Sequence, residues 1–253
     1  MIATLAMYDW PQQSRHWDEF WTAVSEALQA RGVDAPRRLT RGGDLWQHWT
    51  DPGLVLGQTC GMPYRTALHG QVDLIGTLDH GLPGCAPGYY TSVLVAAAGR
   101  GGSLSDLLAG TLAINSADSQ SGWAAIHDLA HREGLTIGAA RLSGSHRESA
   151  RMVAEGEADI AAIDAETWRL IERFAPDIAS GLRVVMRTPP TPGLPLIASR
   201  GSDMEASRDA IRDALVTLDL ETLTALDIAG FVVIPPEDYL AVPVPPPPPL
   251  GDI

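Results

Sequence analysis

The stretch Thr111-Leu112-Ala113-Ile114-Asn115-Ser116-Ala117-Asp118-Ser119-Gln120-Ser121-Gly122 runs from an apolar, strand-like segment into a serine-rich turn that opens a helix-like segment. The pattern recurs about twenty-five residues later, with Ile137 to Leu142 as the apolar run and Ser143-Gly144-Ser145-His146 as the turn. A turn that opens a helix leaves backbone N–H groups unpaired at the positive end of the helix dipole, with hydroxyls alongside. That arrangement holds anions. Two such turns in one half of an α/β chain can grip one small oxyanion together. Singly, Ser119, Ser121, Ser143 and Ser145 also read as ordinary helix caps, a favoured position for serine. The pair is the stronger sign.

Around these turns the chain alternates in type from Leu104 to about Met186. The order is helix, strand, helix (Trp123 to Glu133), strand, helix (Ser145 to Glu155), strand (Ala158 to Ile163), helix (Glu166 to Phe174), strand (Leu182 to Met186). This βαβ periodicity predicts a mostly parallel sheet. Upstream, Ile2 to Met7 reads as a strand. Trp17, Phe20, Trp21, Val24 and Leu28 then fall three and four residues apart, the core-facing side of a helix ending near Gly32. Leu54 to Leu56 and Val72 to Leu78 are buried-strand candidates, separated by a turn and a helix start at Gly57 to Arg65. Tyr89 to Ala98 is a longer run of strand formers that leaves the first region. Beyond the turn-rich crossing Arg187 to Gly193, Leu194 to Ala198 reads as a strand, Met204 to Leu218 as an amphipathic helix and Leu220 to Ala229 as a short helix.

The expected organisation is an α/β fold of two lobes with hinge crossings and a ligand cleft. Residues 91–187 form a continuous lobe, and residues 1–90 plus 188–240 a discontinuous one. Residues 241–253 form a Pro-rich tail restricted to polyproline II or disorder, expected to lack a partner. Ligands of such proteins sit where strand ends and helix N-termini converge.

Composition narrows the function. Hydrophobic residues make up 45% and charged residues 19%, and the formal net charge is -13. Phosphate-backbone binding needs clustered Lys and Arg, so the charge argues against nucleic acid. No window has the length of a membrane helix, so no membrane insertion is expected. The opening residues show neither a basic region nor a signal-length apolar stretch. As it stands the chain reads as cytoplasmic, or as periplasmic if a signal was removed. Cys60 and Cys85 both sit in Gly/Pro-rich turns; a disulfide or two separate thiols are open, with thiols the default in a reducing compartment.

The segment Ile114 to Gly122 resembles the Asn…Ser-x-Ser-Gly turn of the phosphonate-type periplasmic binding proteins. So does Ser143-Gly144-Ser145-His146 followed by Val153-Ala154-Glu155-Gly156-Glu157-Ala158-Asp159-Ile160-Ala161-Ala162-Ile163-Asp164, a Gly-Ser-His helix start with a downstream G-x-A-D-x-A-x-x-D strand. The resemblance implies a type 2 periplasmic-binding fold that closes on phosphate, phosphonate or a related anion and serves an ABC permease. It implies that Ser119, Gln120 and Ser121 hold the oxyanion and that Ser145 and His146 add donors at the second helix start. Asp164 would accept from a ligand hydroxyl or amine, so the ligand is anionic or zwitterionic. Tyr8 with Asp9, and Tyr64, would supply the facing wall. The Ser-Gln-Ser turn departs from the Ser/Thr-rich triplet of many members by placing a longer amide at its centre.

Other chemistries are weaker. His127 and His131 lie four apart on one helix face, but no third metal ligand is evident and Asp128 stands where a metalloprotease carries Glu. The nucleophile-elbow and Walker patterns both fail. No cofactor and no catalytic residue are expected. The alternatives are a cytoplasmic enzyme that reuses the fold, of the thiamine-pyrimidine or menaquinone-pathway type, and a ligand sensor. An enzyme would need a base such as Asp164 or His146.

Overall fold

A computed structural model describes residues 1–251; residues 252–253, the end of the Pro-rich tail, lie outside the described residues. The chain divides into two compact units, Met1–Tyr89 with Pro192–Ala241, and Tyr90–Thr191 with Val242–Ile253. It passes between them near Tyr89–Tyr90 and Thr191–Pro192, two short strands that pair with each other, and a third time at residues 241–242.

The first unit is built on a five-stranded sheet in the order Ile2–Thr4, Leu54–Gln58, Leu196–Ser199, Val72–Asp79, Gly230–Val232. Only the pairing of the first two strands is parallel. The helix Ser14–Ala30 forms where the aromatic spacing places it and buries Trp17, Phe20, Trp21, Val24 and Leu28. Its two tryptophans also anchor loops, Trp17 Nε1 donating to the Tyr8 carbonyl (3.2 Å) and Trp21 Nε1 to that of Pro36 (2.9 Å). The helix ends at Gly32, whose φ of 78° suits glycine best. A second core gathers Trp49, Leu54, Tyr64, Leu68, Ile197 and Tyr239.

The second unit carries a five-stranded sheet in the order Ala140–Leu142, Leu112–Ile114, Ile160–Asp164, Ser92–Ala97, Leu182–Arg187. The expectation of a mostly parallel sheet is corrected here: two of the four pairings are parallel and two antiparallel. The βαβ rule holds for the strands joined by helices within the unit. The strand that enters the unit and the strand that leaves it run in opposite directions as neighbours, and Ser92 at the entry strand's start pairs with Asp164 at the end of its other neighbour. The C-terminal ends of the parallel strands therefore share one edge of the sheet with Ser92. Leu94, Leu107, Leu112, Ile114, Trp123 and Ile126 pack the core beneath, each fully buried aliphatic side chain contributing roughly 1.5–3 kcal/mol.

Several expected elements change length. The first strand stops at Thr4, and Tyr89 to Ala98 splits into Tyr89–Tyr90 and Ser92–Ala97. Only Ala140–Leu142 of the run from Ile137 is strand. Gly138 instead packs against backbone, where an added Cβ would lie 2.1 Å from the Gly110 carbonyl oxygen. The short helices Leu45–Trp49, Pro176–Ser180 and Pro236–Leu240 and the strand Gly230–Val232 are too brief to show a period in sequence. Cys60 is buried and Cys85 half-buried.

The tail has a partner within the chain. Trp123 Nε1 donates to the Pro246 carbonyl (2.9 Å), the Ala140 N–H to that of Pro249 (2.8 Å), and the Gly251 N–H to that of Ala140 (3.1 Å). Sequence reasoning treats prolines as a segment without ladder donors, yet their carbonyls still accept, and the indole N–H and the edge strand supply the donors.

Candidate functional site

Both serine turns follow C-terminal ends of neighbouring parallel strands, Leu112–Ile114 and Ala140–Leu142. The backbone ties them together. The Ser143 N–H donates to the Ile114 carbonyl (2.8 Å) and the Gly144 N–H to that of Asn115 (3.1 Å). Between the helices that follow, Ser121 Oγ and His146 Nε2 lie 2.8 Å apart. One residue from each turn thus meets in a single hydrogen bond.

The first turn winds into a π-helical segment, Gln120–Ala124, before the α-helix Ala125–Arg132. The Ala124 N–H reaches back to the Ser119 carbonyl (3.0 Å), and Ser119 Oγ accepts from the Gly122 N–H (2.9 Å). Wide turns of this type recur at functional sites. Ser119, Gln120 and Ser121 are buried polar residues. Ser92 Oγ donates to the Ser121 carbonyl (2.9 Å), which fixes the turn to the start of the entry strand. At Gly122 an added Cβ would come within 1.9 Å of Asn115 Oδ1, so only glycine lets that amide lie beneath the turn. Asn115 Oδ1 is buried there without a hydrogen-bond partner in the structure. Buried polar atoms cost free energy unless something pairs with them.

The second turn caps the helix His146–Ala154. Ser145 Oγ accepts from the Glu148 N–H (3.1 Å), and Ser143 Oγ binds both the Ser145 carbonyl (2.9 Å) and Ser149 Oγ (2.7 Å). His146 is half-buried, and desolvation of its ring holds its pKa down to about 4 against the opposing pull of the Ala162 backbone. At neutral pH the imidazole is therefore uncharged, and its bond to Ser121 joins two neutral groups.

Asp164 ends the strand Ile160–Asp164 and caps the helix Ala165–Phe174, its Oδ1 accepting from the N–H groups of Glu166 (2.8 Å) and Thr167 (3.0 Å). Its place at a strand's carboxyl end is a ligand position in α/β folds, but one of its oxygens already serves the helix.

Three of the marked residues lie in the first unit. Tyr8 is buried, its ring edge-on to His80 at 5.1 Å. Asp9 accepts from Ser14 Oγ (2.8 Å) and from Arg41 Nε, and its side chain is 5% exposed. Tyr64 sits in the core edge-on to Tyr239 (5.3 Å) and His69 (5.9 Å), and burial pushes its phenol up to about 12. It is a neutral hydroxyl over the physiological range.

Sequence reasoning passed over Ser92, and it left Asn115 inside a quoted motif without a role. A polar amide directly after an apolar strand and ahead of a serine turn was the available signal for Asn115. Ser92, within an apolar run twenty-nine residues from Ser121, offered none. Among the described residues no group of three or more His, Cys, Asp or Glu side chains is placed to hold a metal ion. No helix of the described residues is long and apolar enough to cross a membrane.

The fold and the paired turns define a two-lobe binding protein of the type 2 periplasmic-binding fold. The profile of the phosphonate-binding periplasmic substrate-binding proteins of ABC transporters matches residues 56–239, and the chain belongs to this family. Among solved structures, it is similar to a binding-protein component of an ABC phosphonate transporter from Pseudomonas aeruginosa, with a TM-score of 0.71 at 19% identity, covering 94% of this chain and 82% of that one. It is similar to PhnD1 from Prochlorococcus marinus in complex with methylphosphonate, with a TM-score of 0.67 at 17% identity, covering 89% and 90%. A Xanthomonas citri protein bound to ATP gives a TM-score of 0.67 at 18% identity, covering 89% and 90%. Comparison with curated proteins gives no match. The chain is thus a solute-binding protein by family, and the family is periplasmic.

Proposed function

We propose that the protein binds a small phosphonate or phosphate without transforming it and delivers it to an ABC permease. The observation that supports this reading is the 2.8 Å contact between Ser121 Oγ and His146 Nε2, where side chains of two helix starts meet, since helix starts favour anions. Ser121, Gln120, Ser145 and His146 contact the anion, Ser119 shapes the turn through its cap, and Asn115 offers its buried amide. Tyr8 and Tyr64 stay with the packing of the first unit, against His80 and against Tyr239 and His69. Asp9 stays with Arg41 and Ser14 as an anchor of its loop.

Asp164 bears on the ligand class. Its carboxylate caps a helix, so a ligand amine would compete with backbone donors for it. The reading is therefore a plain oxyanion such as methylphosphonate, the ligand in the Prochlorococcus structure, in preference to an aminophosphonate. An enzymatic role is disfavoured by His146. A general base works best with a pKa near the operating pH, and burial takes this imidazole to about 4.

Titration calorimetry with methylphosphonate, phosphate, sulfate and an aminophosphonate tests the proposal. Ser121→Ala and His146→Ala are each expected to weaken phosphonate binding by about 1–3 kcal/mol. Equal affinity in wild type and both variants would end the two-turn reading.

A further inference from the structure

The Pro-rich tail returns to the second unit at Val242 and lies against the segment that carries the anion turn. Its docking is specific. Three hydrogen bonds hold it, to the indole of Trp123 and to both backbone groups of Ala140 on the sheet-edge strand. Trp123 and His127 are ring neighbours at 5.3 Å, and His131 stacks on His127 at 6.5 Å. Together with Leu135 and Ile137 they line a cleft of about 330 Å³ shared with Pro246, Pro247 and Pro249. Aromatic grooves suit proline segments because the extended chain loses little conformational entropy on docking.

Trp123 joins the tail to the site. It is the fourth residue of the π-helical segment Gln120–Ala124, follows Gly122 directly and is 1% exposed. Its backbone N–H donates to the Ser119 carbonyl (3.2 Å), inside the turn, while its indole N–H donates to the tail. A buried indole N–H needs an acceptor, and a π-helical turn persists only where its surroundings hold it. The Pro246 carbonyl meets the first need, and the docked prolines contribute to the second.

We propose that the C-terminal proline segment is a positioning strap for the anion site: seated on Trp123 and paired with Ala140, it holds the Gln120–Ala124 turn in the shape that brings Ser121 to His146. The strap touches no ligand and acts through Trp123. Tail docking and anion binding are then coupled, and by linkage the ligand stabilises the docked tail by the same factor as the tail strengthens ligand binding. The ligand part of this inference rests on the phosphonate reading above; the strap's effect on the Ser121–His146 contact does not.

Two variants test it, a chain ending at Ala241 and full-length Trp123→Phe, which keeps most of the ring packing and removes the indole donor. Each is measured in two ways: the ¹⁵N shifts of the His146 ring without ligand, and calorimetric titration with methylphosphonate. The expected result is a shifted His146 signal in both variants and a methylphosphonate affinity lowered roughly tenfold by truncation and less by Trp123→Phe. A synthetic peptide of residues 242–251 added to the truncated chain should restore both readouts. If wild type binds no methylphosphonate, the ligand reading fails and the His146 shifts alone decide on the strap. A folded truncated chain with unchanged His146 shifts and unchanged affinity would overturn the strap. If the truncated chain does not fold, Trp123→Phe decides, and unchanged values there would overturn it.

Discussion

In the second unit the marked polar residues bond to one another around a turn, whereas in the first unit they are absorbed into packing. Ser121 meets His146, Ser92 holds the Ser121 carbonyl, and Asn115 lies under Gly122. Tyr8, Asp9 and Tyr64 instead serve a ring contact, an ion pair and a hydrophobic core. A polar side chain whose partners are all local stabilises its own unit. In the second unit, polar side chains from three separate strand ends come together beside the unpaired Asn115 Oδ1. On the reading proposed above, anion recognition falls to the paired turns of the second unit, and Tyr8, Asp9 and Tyr64 support the first.

The largest expected effect would break the first side of that comparison. Tyr64→Ala removes a core aromatic and should destabilise the first unit by about 3–5 kcal/mol in denaturant unfolding. Tyr64→Phe keeps the ring packing and should leave stability nearly unchanged. A mild loss in the Ala variant would show that Tyr64 is not the core residue its contacts with Tyr239 and His69 make it.

Next comes the second unit's turn. Gly122→Ala forces a methyl group onto Asn115 Oδ1 and should cost about 1–3 kcal/mol of stability as overpacking. Shortening the obstructing residue with Asn115→Ala should recover part of that loss in the double variant. Additive losses in the double-mutant cycle would show that the two residues do not share the space under the turn.

The smallest effect sharpens the comparison through acid sensitivity. His146 has its folded pKa lowered from 6.5 to about 4, so its contribution is present above pH 6.5 and is lost as pH falls toward 4. Glu19, in the first unit, is held near 2 by its bond from Thr222 first and by Arg15 next, against an ordinary 4.5. Its contribution is present above pH 4.5 and lost as pH falls toward 2. The loss in the His146 window should be on the order of 1–3 kcal/mol. Glu19, a third exposed, should contribute about 1 kcal/mol or less after solvent screening. Acid unfolding followed by site-resolved amide signals should show the second unit weakening at the higher pH, and His146→Gln should remove that step. A single simultaneous transition in wild type and variant would contradict the assignment.

Much of the fold is legible in sequence because it rests on local periodicity. The aromatic face of Ser14–Ala30 and the strand–turn–helix repeats around Ser119 and Ser145 follow from spacing alone. Strand direction is less legible, since the antiparallel pairings of Ser92–Ala97 depend on where the chain enters and leaves the unit. The tail is illegible for a similar reason. Nothing local to Pro245–Pro249 names Trp123 as its donor. In the site, residue types and turn positions can be read directly, but the meeting of Ser121 with His146 depends on the parallel pairing of two short strands. The service of Asp164 as a cap and of Asp9 as an ion-pair partner comes from neighbours that spacing does not reveal.

The central claim is that the two serine turns form one anion site. Amide and imidazole NMR spectra recorded while methylphosphonate is titrated into the wild-type protein at pH 7 test it most directly. The account predicts saturable shifts concentrated on residues 115–122 and 143–147, including the His146 ring. Saturable binding that leaves both segments unmoved would contradict it.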